Sequence, residues 1–483
     1  MDNFGKTFFY QMARTTGTKL TDKHLEILDY AHQYYKQHHV GPLYHNLYQH
    51  SGVDKDALAG MFPNGLLSVY SWVNIPIHST ESGCKPLVTV TVEQPRTVYL
   101  DHNSTTYLRV EVKKLLLDFF KQSDNYGNPS SSYPMGRKSY DQVDKARSKI
   151  AKALGVNSDT IFFTSCGSES NNLAIKGIAF KYLTPQEGQT PSVRAHLIAS
   201  KIEHSSVLET MKYLESIGFE VTYLDVDVEG RVAPEDVAAA IKSNTILVSI
   251  MAVNNEVGSI NPIKEIGAIC HEKGVPLMAD ACQALGKIAL KPKAMGISLL
   301  SLSGHKIYAP KGVAALYIDP KISLIPQIHG GEQESGLRSG SENVPYIMAL
   351  GLAAQLSQKE MATEQRRLAD LRAYFIRGLA ETGHEFIVNG SKEHHVNNNL
   401  SVGFAGVDSG SVLLSLAHIG IMVSSGSACS AGNQESSHVI KAMKVDTDKY
   451  GVIRFSFGMQ TCKDDLNYTL TYLTEILSKL KKQ

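Results

Sequence analysis

The chain has 483 residues, 43% hydrophobic and 20% charged, which leaves room for two or three domains with well-buried cores. Lys plus Arg number 48 against 47 acidic residues, so no overall field of one sign points to nucleic acid or a membrane surface as partner. Six cysteines, at 84, 166, 270, 282, 429 and 462, contain no C-x-x-C pair, which argues against a zinc site or a disulfide framework and favours reduced thiols.

The first residues, MDNFGKTFFYQMARTTG, carry an early Asp and no apolar h-region. No stretch approaches the roughly 18 apolar residues of a membrane helix, so a cytoplasmic protein is expected. From Leu20 to His38 the segment LTDKHLEILDYAHQYYKQH places Leu25, Ile27, Leu28 and Ala31 on one helical face, with Thr21 as N-cap. Short helices are expected over 41–50 and 53–61. Around 85–96 the pattern becomes KPLVTVTVEQPR, a β-type alternation closed by proline, which sets a boundary near residue 95. Beyond it short apolar runs alternate with amphipathic stretches: IFFT (161–164), HLIAS (196–200), VTYL (221–224), ILVSIM (246–251), PLMAD (276–280), LLSLS (299–303) and AALYI (314–318). This alternation predicts an α/β domain with a doubly wound, mostly parallel sheet. After about Leu350 the helical stretch EMATEQRRLADLRAYFIRGLAE leads into a smaller α+β lobe. The expected division is a small, mainly helical domain and linker over 1–95, a large domain over 96–350 and a small one over 351–483.

In open α/β sheets ligands sit at the carboxyl ends of the strands, so the polar residues just after the apolar runs matter first. Asp280 and Gln283 follow PLMA, and Ser303, His305 and Lys306 follow LLSL. Gly167, Ser168 and Glu169 follow IFFTS and open a helix, whose N-terminus is a natural phosphate seat. A buried carboxylate, an amine and a phosphate seat are what pyridoxal phosphate needs: a partner for the pyridinium, a Schiff-base lysine and phosphate donors. Taken singly, a lysine after a strand is usually solvated and a small-residue helix start is usually a cap. Their joint placement favours the cofactor. Cys429 lies in VSSGSACSAGNQESSHV, whose small polar residues suggest an accessible loop, and an accessible thiolate is a nucleophile. Arg454, in VIRFSFG, has the planar fork that clamps a carboxylate, with a plain ion pair as the alternative.

Residues 97–478 resemble the NifS/IscS-like cysteine desulfurases, pyridoxal-phosphate enzymes of fold type I. The resemblance rests on YLDHNSTT (99–106), GNPSS (127–131), FFTSCGSESNNLAIKG (162–177), EHSSV (203–207), VNNEVG (253–258), DACQALGK (280–287), SGHKIYAPKG (303–312), GLRSGSENV (336–344) and SSGSAC (424–429). It implies that Lys306 carries the cofactor as a Schiff base while His204 stacks on its ring and assists proton transfer. It further implies that Asp280 pairs with the ring nitrogen, Gln283 bonds the phenolic oxygen and Asn255 lines the ring. Gly167, Ser168, Ser303 and His305 would hold the phosphate, joined by Ser341 from the other subunit of a homodimer. Arg454 would bind the substrate carboxylate. The implied reaction takes L-cysteine to alanine and leaves a persulfide on Cys429 for sulfur-acceptor proteins, in iron–sulfur cluster assembly or tRNA thiolation. The chain departs from the family pattern at Tyr133 (commonly His), at Ser168 and Ser341 (Thr) and at Cys166 (Gly); Cys166 and Cys282 read as buried small residues.

Residues 20–86 resemble a second family, the DsrC/TusE-type sulfur carriers, through LTDKHLEILDYAHQYYKQHHVGP, MFPNG (61–65) and Cys84 in a terminal-arm position. This implies a sulfur relay from Cys429 to Cys84, with an incidental Cys84 in a helical docking domain as the alternative. Selenocysteine lyase activity and a non-catalytic scaffold are the rival functions. A helical nucleic-acid reader is disfavoured because the segment lacks a dense Lys/Arg stripe.

Overall fold

The computed structural model describes residues 18–38, 41–42, 44–62, 65–73, 88, 90, 92, 96–183, 195–425 and 437–481. Cys84 and Cys429 lie outside the described residues. Among the described residues four helices come first: α1 (Asp22–His38), α2 (Tyr44–Ser51), α3 (Lys55–Met61) and α4 (Leu66–Trp72). Their apolar faces meet in a core of Ile27, Leu28, Leu47, Leu58, Phe62, Val69 and Trp72. Asp54 starts α3 by accepting from the Ala57 amide at 2.8 Å. Buried His24 donates through Nε2 to the Met61 carbonyl at 2.9 Å, tying α1 to the end of α3. The sequence reading lacks α4, because LLSVYSW is too short for periodicity to separate helix from strand.

The next elements are β1 (Val98–Tyr99), α5 (Val110–Lys121), α6 (Pro134–Leu154), β2 (Ile161–Thr164), α7 (Gly167–Ala179), β3 (His196–Ser200), α8 (Ser205–Ser216) and β4 (Glu220–Leu224). They are followed by α9 (Pro234–Ala240), β5 (Thr245–Ser249), α10 (Ile263–Glu272), β6 (Leu277–Asp280), β7 (Leu299–Ser303), β8 (Ala314–Ile318) and α11 (Val344–Glu381). Strands β2 to β8 form one seven-stranded sheet in the order β2-β8-β7-β6-β5-β3-β4. Only β8 runs against its neighbours, so the sheet is mixed; AALYI carries no signal of direction. β3, β6, β7 and β8 are buried along their whole length, as strands covered on both faces must be. Alternate residues feed opposite cores. Ile198, Val248, Leu277, Leu300 and Ala315 join Val143, Ala146 and Ile150 of α6 and Ile347 and Leu350 of α11. Leu197, Leu247, Met278, Leu299 and Leu316 join Leu173 of α7 and Val207, Met211 and Leu214 of α8.

Helix α11 is 38 residues long and leaves this core for a second one, to which it contributes Leu368, Leu371, Phe375 and Leu379. The expected division at 350/351 therefore falls inside a continuous helix. A Cβ at Gly351 would lie 2.7 Å from Ala146 Cα, so the α6–α11 crossing needs glycine there. The chain continues through β9 (Phe386–Asn389), β10 (Asn399–Ala405), α12 (Ser409–His418), β11 (Ile421–Met422), α13 (His438–Ala442), β12 (Tyr450–Ser456) and α14 (Lys463–Leu480); all but α13, whose Val439 and Ile440 pack with Ile202, Met251 and Val257, complete the second core. Here β12-β10-β9 form an antiparallel sheet and β1 pairs in parallel with β11. Val88, Val90, Val98 and Leu100 also belong to this core, and the Val88 amide donates to Ser415 Oγ at 3.1 Å. Residues on both sides of the expected 95/96 boundary thus pack on the small lobe.

Candidate active site

The carboxyl ends of β2, β6 and β7 and the loop after β1 converge on one place. Lys306 ends a 3₁₀ turn, Gly304–Lys306, that follows β7 directly. Its Nζ donates to the carbonyls of Asn103 at 2.5 Å and Ser104 at 2.6 Å. Two residues on, Tyr308 has φ 67°, a left-handed conformation that costs a non-glycine residue about 1–3 kcal/mol. It is held there by bonds from its amide to Thr106 Oγ1 and from the Arg109 amide to its carbonyl.

Asp280 ends β6 with 5% of its surface exposed. Its carboxylate accepts from Asn171 Nδ2 at 2.8 Å and from the Cys282 amide at 2.9 Å, which fixes its aim. Asn171 Nδ2 also donates to Ser206 Oγ at 2.9 Å, and Ser206 Oγ lies 2.8 Å from His204 Nδ1. The Ser206 amide donates to the same ring nitrogen at 3.1 Å. Nδ1 is therefore an acceptor, and neutral His204 carries its proton on Nε2. Asn171 and Ser206 thus link the expected pyridinium partner to the expected ring-stacking histidine. Sequence reasoning passed over both, although they lie inside the motifs SESNN and EHSSV.

The expected phosphate seat is a tight cradle. A Cβ at Gly167 would stand 2.7 Å from Cys282 Sγ and 3.6 Å from Ser303 Cβ, so glycine keeps the N-terminus of α7 open beside the end of β7. His305 shares a 3.1 Å hydrogen bond with Thr105 Oγ1, and burial, aided by the Lys306 and Lys311 charges, pushes it down to about 4. It is a neutral hydrogen-bonding group there. Burial and Asp280 push the Cys282 thiol up, which makes it inert. Cys166 is exposed rather than buried as expected, because it precedes the first turn of α7. Ser341 is exposed just before α11, and among the described residues no hydrogen bond ties it to this seat.

Arg454, on β12, is almost fully buried. It donates to Asp101 Oδ1 at 2.7 Å, Ser104 Oγ at 2.8 Å and the Asn255 carbonyl at 2.9 Å. Its backbone bridges Ser424, five residues before Cys429. On the far side of that segment Ser437 Oγ donates to Glu256 Oε2 at 2.5 Å, and His438 Nε2 donates to the Glu203 carbonyl at 3.0 Å. Both ends of the segment bearing Cys429 are thus fixed to residues around the site. Glu203 is fully buried; it accepts from Ser200 Oγ and the Met251 amide, and burial pushes its carboxyl up to about 8. A sequence gives no sign of that shift, since it depends on what surrounds the side chain.

Residues 98–468 match the family model for class-V aminotransferases, and residues 1–71 match the model for DsrC-like proteins. The chain belongs to the class-V aminotransferase family, and pyridoxal phosphate is its cofactor. Within that family it is similar to proteins named cysteine desulfurase IscS. The one from Dictyoglomus turgidum is 46% identical over 387 residues, 80% of this chain and 96% of that protein. The one from Methanosarcina thermophila is 42% identical over 387 residues, covering 80% and 93%. A solved NifS-like protein superposes with a TM-score of 0.73 at 36% identity, over 80% of this chain and all of that one. The DsrC-like match ends at residue 71, so Cys84 lies beyond it.

Proposed function

We propose that the chain is a cysteine desulfurase in which Lys306 holds the cofactor and Cys429 receives the sulfur. The observation that carries this reading is Lys306 Nζ within 2.6 Å of two carbonyls, at the same edge of the sheet as Asp280 and the Gly167 cradle. That set fits pyridoxal phosphate: an amine, an aimed carboxylate for the ring nitrogen and an open helix N-terminus for the phosphate, where Gly167, Ser168, Ser303 and His305 would serve. Gln283 would bond the phenolic oxygen, Asn255 would line the ring, and a second subunit would supply Ser341. Bound there, pyridoxal phosphate supplies an electron sink for charge developing on the substrate's α-carbon.

Arg454 orients the carboxylate of L-cysteine once Asp101 yields its place on the guanidinium. Lys306 carries the α-proton away and back, and His204, with its proton on Nε2, serves as a second proton carrier. The Cys429 thiolate attacks the substrate sulfur, forming an S–S bond as the C–S bond breaks. The electron pair of that bond stays on the substrate carbon, which takes up a proton, and alanine leaves. The test is alanine formation from L-cysteine, together with sulfide release once an added dithiol reduces the persulfide. Lys306→Ala should lose about 10³-fold in alanine formation along with the yellow absorbance. Cys429→Ser should keep the absorbance and lose sulfide. Alanine from Lys306→Ala at the wild-type rate would overturn the reading.

The DsrC-like N-terminal region supports a second step, in which the Cys84 thiolate attacks the outer sulfur of the Cys429 persulfide and leaves Cys429 as a thiol. Tethering raises the effective concentration of the acceptor. Iron–sulfur assembly and tRNA thiolation are the candidate destinations, and the cytoplasm is the proposed location; no helix among the described residues is long and apolar enough to cross a membrane. A homodimer is supported by exposed Tyr107, Val110, Leu117, Phe120 and Tyr126 on and around α5.

A further inference from the structure

We infer that Lys287 is a positioning residue that locks the side-chain amide of Gln283 with its N–H turned toward the cofactor. Resting on the assignment of Gln283 to the phenolic oxygen, this adds what makes that side chain a donor rather than an acceptor. Lys287 Nζ donates to Gln283 Oε1 at 2.5 Å, and Gln283 Nε2 donates to the Asn103 carbonyl at 2.9 Å. The Asn103 carbonyl also accepts from Lys306 Nζ at 2.5 Å. While protonated, Lys287 only donates, and a carbonyl only accepts, so a single orientation of the amide satisfies both ends. Turned over, it would set N–H against Nζ and oxygen against oxygen.

The local backbone is shaped for this pairing. After β6 the chain turns through Ala281–Ile288, with the amides of Lys287 and Ile288 both bonded to the Ala284 carbonyl, which brings residues four apart onto one side. Gly286 sits between them at φ +75°, where a Cβ would meet Ser357 of α11 at 2.7 Å. Lys287 occupies this place against an electrostatic cost: burial, then the Lys306 and Arg454 charges, push its amine down to about 7, with Cys282 opposing. An apolar side chain would avoid that cost but leave Gln283 Oε1 without its donor.

The test is the pH midpoint of the holoenzyme's visible absorbance in a double-mutant cycle. A donor on the phenolic oxygen competes with the proton on the Lys306 nitrogen for that oxygen, so losing the donor keeps the proton in place to higher pH. Lys287→Met should raise the midpoint by about one pH unit, Gln283→Leu should raise it at least as much, and Lys287→Arg should restore it. In the Gln283→Leu background, Lys287→Met should then add little. If Lys287→Met shifts the midpoint equally in both backgrounds, the lysine acts by charge alone and the positioning role is wrong. An unchanged midpoint in Gln283→Leu would instead remove the assignment of Gln283, and with it the inference.

Discussion

Single side chains at this site are tuned by burial and by neighbours distant in sequence. Glu203 is the clearest case. Its carboxyl stands at about 8 against an ordinary 4.5, so the folded chain keeps a proton that the unfolded chain releases. That contribution is fully present below about pH 4.5 and is lost as the pH rises toward 8. Glu203→Gln should flatten the fall in stability across this window, by up to about 1.4 kcal/mol per pH unit, as read from urea unfolding at several pH values. An equally steep fall in the variant would show that Glu203 is ionised in the fold. Lys306, Asp280 and Gln283 stand out in the sequence because each follows an apolar run at a strand end, whereas His204 is singled out only by the family motif EHSSV. Asn171, Ser206, Glu203 and Lys287 were not singled out, although SESNN, EHSSV and DACQALGK contain them. Their parts depend on hydrogen bonds and burial that the fold alone creates.

The elements show why the sheet could be read so fully and the lobes less so. Seven apolar runs predicted seven strands, and all seven lie in one sheet, because a strand covered on both faces must be apolar throughout. The reversal of β8 was invisible, since neither composition nor length encodes direction. The run KPLVTVTVEQPR was read as a β-type alternation closing the N-terminal part, yet Val88 and Val90 fill the small-lobe core. Their destination could not be read locally, because Ser415, which accepts from the Val88 amide, lies 327 residues away. The N-terminus of α7 carries the sharpest prediction at this scale. Gly167→Ala drives a methyl toward Cys282 Sγ, and cofactor affinity, followed by absorbance titration of the apoenzyme, should fall about tenfold or more while the melting temperature stays close to wild type. Unchanged affinity would mean that the cradle does not hold the phosphate.

On the scale of the whole molecule, the helical N-terminal core is separate from the three large cores of the desulfurase part, so the two can be damaged independently. Phe62→Ala removes a fully buried ring from the small core and should cost it about 3–5 kcal/mol. Alanine formation should persist at roughly the wild-type rate, while persulfide on Cys84 disappears; a parallel loss of both would tie the carrier-like region to catalysis itself. The desulfurase-like and DsrC-like parts were recognisable from motifs, but the proposed handover was not legible, because it would depend on the meeting of Cys84 and Cys429. The central claim is tested most directly by supplying sulfur-labelled L-cysteine for one turnover, quenching, and mapping persulfide by mass spectrometry of the peptides. Label is expected on Cys429 in the wild type and in Cys84→Ser, and none anywhere in Lys306→Ala. Alanine formed in one turnover with no label on Cys429 would contradict it.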